Sequence, residues 1–135
     1  MQVFLDTNVF IASLTDEPGR GEVATKLMNS DIDFCTSDLN LMELRTVLTK
    51  KKRVKKPETE RIIDDIQDRV KVTPVDTEVM NRALDIQKEF LLYPMDAIVT
   101  ASAALIGFPL ATFDSELIEN GAEAPEDLIK TLKFE

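Results

Sequence analysis

Histidine is absent from these 135 residues, and its absence removes several chemistries at once. A Ser-His-Asp triad, a histidine-ligated nuclease metal and a histidine general acid–base pair all require an imidazole. Hydrolysis stays open where a metal supplies the activated water. Cysteine is nearly absent too. Cys35 stands alone, which excludes a disulfide framework and a cysteine-built zinc site within one chain. It lies in Ile32–Thr36, which reads as a buried strand, so its thiol reads as a small core residue. No apolar run approaches the roughly 18 residues of a membrane span. Nor does a charged-then-apolar signal segment stand at the N-terminus, which sets the expectation of a soluble, cytoplasmic protein. Six prolines and four glycines are too few for a disordered or fibrous chain. With 44% hydrophobic residues, residues 1–135 fit one domain with its own core.

Basic charge is scarce in total but concentrated in place. The net charge is −9, yet residues 50–56 read Lys-Lys-Lys-Arg-Val-Lys-Lys; setting aside those six positive charges leaves −15 on the remainder. Such a run has two readings. Cations at a helix C-terminus complement its dipole on a solvated face. A basic patch on an acidic surface also suits phosphate contact, so Lys50, Lys51, Lys52, Arg53, Lys55 and Lys56 are candidate phosphate-contacting residues for a nucleic-acid partner.

Residues 2–6 form an almost wholly apolar segment, as a strand covered on both faces requires. A helix is expected from Asn8 to Leu14, a loop over Asp16–Gly21, and a helix over Glu22–Asn29 with Val23, Ala24 and Leu27 inward. A second strand follows at Asp31–Thr36. Ser37 then suits the N-cap of a helix marked by Leu41, Leu44 and Leu48. Pro57 suits the first position of the next helix, with Glu58 and Glu60 in its first turn and Ile62, Ile63, Ile66 and Val70 as its apolar marks. Val72–Val75 reads as a strand. Asp76 caps another helix, where Val75 and Met80 have the spacing of a hydrophobic staple. Pro94 opens a helix rich in small residues, Leu110–Phe113 is a strand, and Ile129–Phe134 is expected to be the last one. Strands separated by helices imply an α/β sandwich with a mainly parallel sheet. In such sheets ligands bind beyond the strand carboxyl ends, where strand order reverses.

Four acids lie beside core-forming segments: Asp6 after Val3-Phe4-Leu5, Glu43 within Leu39–Leu48, Asp96 within Pro94–Leu105, and Asp114 after Leu110–Phe113. Each has an ordinary structural reading. Asp6 and Asp114 could cap the helices that follow them, and Asp96 is the third residue after the inferred cap Tyr93, where the helix dipole favours an acid. Glu43 could face water, although Leu39 and Val47 at i−4 and i+4 put it at the edge of an apolar stripe. The set is more telling than any member. Acids beside a core are costly unless something positive binds between them, and without histidine the simplest candidate is a hard cation such as Mg²⁺ or Mn²⁺. Phosphodiester hydrolysis calls for such a set. Two divalent ions ~3.5–4 Å apart can both activate water and stabilise charge on phosphate oxygens, and their ligands must come from several chain segments.

The segments VFLDTNVFIASL, LMELRTVL, YPMDAIVTASAAL and LATFDSEL together resemble the four ordered motifs of PIN-domain ribonucleases, most closely the small single-domain VapC-type toxins. The likeness runs over roughly residues 2–134. It implies a three-layer sandwich with a five-stranded parallel sheet flanked by helices, and a Mg²⁺- or Mn²⁺-dependent endoribonuclease. Asp6, Glu43, Asp96 and Asp114 would be the metal-binding catalytic acids, with Asn8 and Thr112 as polar helpers. Glu116 stands where the family often has a further aspartate, as a weaker metal ligand. The resemblance also implies a cognate antitoxin and a homodimer.

Two rival readings are weaker. Haloacid-dehalogenase-like phosphatases need Asp-x-Asp after the first strand, where this chain has Asp6-Thr7-Asn8; receiver domains want two adjacent acids there. A PIN-like fold kept as an inactive RNA- or protein-binding module is the other, and the presence of all four acids counts against it.

Overall fold

A computed structural model describes residues 1–133. The first strand, β1 (Gln2–Leu5), buries Val3, Phe4 and Leu5 completely. Its side chains alternate between two cores, as strand geometry demands. Val3 and Leu5 join Val9, Phe10, Leu27, Leu44, Leu48 and Ile63 on one face. Phe4 joins Cys35, Val99, Ala101, Leu110 and Leu117 on the other. Cys35 is therefore the buried core thiol that its surroundings imply.

The remaining elements are α1 (Thr7–Leu14), α2 (Gly21–Met28), β2 (Asp33–Ser37), α3 (Asp38–Thr46), a π-helical turn (Val47–Lys51), α4 (Lys56–Arg69), β3 (Lys71–Thr73), α5 (Thr77–Phe90), α6 (Pro94–Ile106), β4 (Leu110–Ala111), α7 (Ser115–Glu119) and α8 (Pro125–Lys133). Several boundaries follow from the capping chemistry anticipated above. The Ser37 hydroxyl accepts from Asn40 N at 3.1 Å, and Asp76 accepts from Val79 N at 3.0 Å. The expected staple partner Met80 remains 41% exposed, however, while neighbouring Val79 is buried. Among the described residues no single helix is long and apolar enough to cross a membrane.

The sheet is parallel throughout, with order β3-β2-β1-β4. The chain moves outward from β1 through β2 to β3, then returns to the other side of β1 with β4. Strand order thus reverses between β1 and β4, the place where a parallel sheet opens a ligand crevice beyond its carboxyl ends.

Among the described residues the sheet has four strands, not the expected five. Ile129–Lys133 belongs to helix α8 rather than to a strand, and Phe134 lies outside the described residues. The helical signals are Pro125 at its start, Glu126 and Asp127 in the first turn, and Lys130 and Lys133 in the last. Leu128, Ile129 and Leu132 pack on the core at helical spacing. On the open side of β4, Glu123 makes a single parallel bridge to Ala111. Its N–H donates to Leu110 O at 2.8 Å and its carbonyl accepts from Thr112 N at 3.1 Å. One residue does there what a fifth strand would have done.

Candidate active site

Asp6 is the first residue beyond β1 and caps α1. Its backbone N–H still belongs to the sheet, donating to Ala111 O at 3.0 Å, so the carboxylate is aimed into the crevice by the sheet itself. Both carboxylate oxygens are engaged. Oδ1 accepts from Thr7 N at 2.8 Å and from Asn40 Nδ2 at 3.4 Å; Oδ2 accepts from the Thr112 hydroxyl at 2.9 Å.

Thr112 is completely buried, and its hydroxyl uses its full capacity of one donor and two acceptors. While donating to Asp6, it accepts from Asn8 Nδ2 at 3.0 Å and from Asp114 N at 3.1 Å. Asn8 completes the link by accepting from Phe113 N at 3.1 Å through Oδ1. Residues 112–114 are thereby clamped to the start of α1. Asp114 Oδ1 accepts from Glu116 N at 2.9 Å and Leu117 N at 3.2 Å, capping α7. Asp6 and Asp114 therefore are helix caps, as their structural reading holds, and both also face the crevice.

Glu43 arrives from α3 and Asp96 from the first turn of α6, each half-buried. Among the described residues neither carboxylate has a hydrogen-bond partner in the protein, which leaves their oxygens available to a ligand. Asp6, Asn8, Glu43, Asp96 and Asp114 line one cleft of about 240 Å³, together with Val47 and Met95. Among the described residues no three of these acids are gathered into a ready-made metal cage, consistent with the mutual repulsion of like charges. Glu116 is exposed at the margin.

The electrostatics carry the mark of that crowding. Burial drives the Asp6 carboxyl up to about 6, against the hydrogen bonds from Thr112 and Thr7 that lower it, with Glu43 and Asp96 raising it further. Asp96 is also raised, by burial first and then by Asp114, Glu116 and Glu43. The donor set fits a hard divalent cation: carboxylates with an amide nearby, and no imidazole or thiolate among the cleft residues. A positive charge there would favour the ionised acids that the cleft disfavours.

Asn40 is the residue that the motif reading missed. Fully buried in α3, it donates from Nδ2 to Thr7 Oγ1 at 2.9 Å as well as to Asp6, and its Oδ1 accepts from the Ser37 hydroxyl. Its signal was a polar residue between Leu39 and Leu41, four before Leu44, on the apolar side of the helix. After Thr46 the α3 helix widens into the π-helical turn, a departure often found at functional sites. Its end carries Lys50 and Lys51. Lys50, Lys51, Lys52, Arg53, Lys55 and Lys56 are all exposed, and among the described residues none forms an ion pair.

Residues 3–123 match the family model of the PIN domain. The chain belongs to the PIN-domain family. PIN domains are typically nucleases and typically use a divalent metal ion. This PIN domain also superimposes on solved toxin structures. A toxin–antitoxin complex from Klebsiella pneumoniae matches with TM-score 0.74 and 21% identity, over 91% of this chain and 97% of that one. VapC20 from Mycobacterium tuberculosis, described as a sarcin-ricin loop cleaving toxin, matches with TM-score 0.75 and 20% identity, over 90% and 96%. DNA-bound VapBC from Salmonella typhimurium matches with TM-score 0.72 and 20% identity, over 92% and 96%. At such identities the likeness is one of fold. No curated protein matches the chain in sequence.

Proposed function

We propose that this PIN domain is a Mg²⁺- or Mn²⁺-dependent endoribonuclease, the toxin of a toxin–antitoxin pair, acting as a homodimer in the cytoplasm. The observation that carries the reading is the meeting of Asp6, Glu43, Asp96 and Asp114 in one cleft at the switch between β1 and β4. Those four acids would hold the metal, with Glu116 as a weaker ligand at the exposed margin. When bound, a divalent cation supplies activation of water and neutralisation of charge on the phosphate oxygens.

The chain's own contribution is placement. Thr112 and Thr7 N–H fix the Asp6 carboxylate in one orientation, and Asn8 fixes Thr112. Preorganised ligands spare the site reorganisation when substrate arrives. The cations from Lys50 to Lys56 would attract the RNA backbone, whose negative charge an acidic cleft alone would repel. An antitoxin partner is supported by relatives solved as toxin–antitoxin and VapBC complexes.

The test is cleavage of labelled single-stranded RNA by the purified protein, with Mn²⁺ and with EDTA, beside Asp96→Asn. We expect cleavage only by the unaltered protein with metal. No cleavage in Mn²⁺, or equal cleavage by Asp96→Asn or in EDTA, defeats the reading.

A further inference from the structure

A second cavity lies against Phe113, the residue between Thr112 and Asp114. It has a volume of about 410 Å³ and is lined by Arg20, Val23, Phe113, Ile118, Ala124 and Glu126, within the size range of small-ligand sites. Its walls combine apolar side chains with a stacked cation and a carboxylate. The Arg20 guanidinium carbon sits over the Phe113 ring, 5.1 Å from its centroid, and Arg20 Nη1 lies 3.5 Å from Glu17 Oε1.

The loop backbone dictates this placement. Gly19 adopts φ +78°, and a Cβ on Gly21 would come within 2.9 Å of the Ala12 carbonyl oxygen. Gly21 N also donates to Glu17 O. Arg20 thus stands between two glycines that the turn requires, with its start fixed against α1. At the opposite end, Phe113 is tied to Asn8 through its backbone N–H. The same Asn8 lines the acid cleft, and Asp114 follows Phe113 directly. Cleft and cavity share one rigid strand end.

We propose that this cavity is a base-recognition subsite for guanine in single-stranded RNA, and the inference rests on the ribonuclease reading given above. Unpaired RNA bases stack on aromatic rings and on arginine guanidinium planes. Here Arg20, backed by Phe113, offers such a plane at the cavity. Glu126 supplies the discrimination. A carboxylate only accepts hydrogen bonds, so it selects a base edge with adjacent donors. Guanine presents N1–H and the 2-amino group side by side. The Watson–Crick edges of adenine, cytosine and uracil each place an acceptor beside their donor, which a carboxylate repels. Arg20, Phe113 and Glu126 would therefore decide which nucleotide is held beside the acids, without taking part in bond breaking.

The test is binding of fluorescent uridine octamers, either all-uridine or carrying one guanosine or one adenosine at each position in turn, read by polarisation in EDTA. One guanosine position is expected to bind the unaltered protein roughly tenfold tighter than its adenosine or uridine counterpart, within the range of single-base stacking effects. Glu126→Gln should erase the guanosine–adenosine difference, and Arg20→Ala should bring guanosine octamers down to the all-uridine level. Both side chains are exposed, so neither substitution threatens the fold. Equal binding of all octamers, or a preference retained in Glu126→Gln, overturns the proposal. So does an Arg20→Ala variant that weakens every octamer alike while flattening the salt dependence by about 0.7, which would make Arg20 a phosphate contact. Cleavage in Mn²⁺ separates the two ideas. A guanosine preference without cleavage removes the nuclease reading and keeps the subsite; cleavage without preference does the reverse.

Discussion

The acid cleft and the Lys50–Lys56 run both crowd charges of one sign, at very different cost. Asp6 is 8% exposed, and burial with neighbouring Glu43 and Asp96 holds its carboxyl far above the ordinary range. The six cations stand in water at the end of the π-helical turn and the start of α4, where solvent and salt screen their repulsion. Crowding in the cleft disfavours the folded, ionised protein, so whatever neutralises it binds with the relief of that strain. Crowding on the surface costs the fold little and acts at a distance. A buried cluster suits tight capture of a small ion, an exposed one the loose attraction of a polyanion.

The sharpest way to break this contrast is to remove a cleft charge. Asp6→Asn should abolish Mn²⁺-dependent RNA cleavage and, in EDTA at pH 8, leave the protein as stable as before or more so. The sign follows from the raised carboxyl. Because Asp6 titrates near 6 in the fold and near 3.9 when unfolded, its ionisation opposes folding above about pH 6. That penalty fades as pH falls through 6 and is gone below the unfolded value. It amounts to on the order of 3 kcal/mol at most. Denaturant titrations of both proteins in EDTA at pH 8 and pH 5.5 check this. The unaltered protein should gain on the variant at the lower pH, and a gap that stayed constant would remove the strain from Asp6.

Much of the cleft was legible because the chain repeats one grammar. An apolar strand followed by an acid marks Asp6 and Asp114, and the parallel sheet brings the two strand ends together. Glu43 and Asp96 were legible as acids out of keeping with apolar neighbours. Three things were not legible. Asn40 carries no charge and sits in no motif, and its role arises only when α3 lies against α1. The last strand failed because Ile129–Phe134 is short, with Ile129, Leu132 and Phe134 set among Lys130, Thr131 and Lys133, a stretch too brief for periodicity alone to divide between strand and helix. The Pro125, Glu126 and Asp127 start signals lie just upstream and settle residues 129–133 as helical. The pairing of Glu123 with β4 depends on backbone groups that any residue possesses, so no side chain announces it.

A smaller effect is expected from the neutral residues behind the acids. Thr112→Val removes the hydroxyl that donates to Asp6 and accepts from Asn8 and Asp114 N–H. Asn8→Ala removes the clamp on Thr112 and Phe113. Groups that orient metal ligands typically change affinity or activity by about 10–100-fold when lost, and that range is expected for both variants in a Mn²⁺ titration of RNA cleavage. Thr112→Val should be the more damaging, since it leaves buried partners unpaired at about 1–3 kcal/mol each. If Asn8→Ala matched the unaltered protein at every metal concentration, Asn8 would be a structural tie and nothing more.

The smallest effect should come from the exposed side of the comparison. Replacing Lys51, Lys52 and Arg53 together by glutamine removes half of the run without touching the cleft. Each phosphate contact on a single strand contributes about 0.7 to the salt slope, so three lost contacts should flatten the slope by about 2 and weaken RNA binding most at low salt. Turnover at saturating RNA should hardly change, because contacts made equally in ground and transition states do not alter the chemical step. The competing account is that these cations only complement the dipole at the end of the helix bearing Glu43. In that case the triple variant would melt at a lower temperature, with RNA affinity and salt slope unmoved. Melting temperature and salt slope measured on the same variant tell the two apart, since dipole complementation changes only the first and phosphate contact chiefly the second.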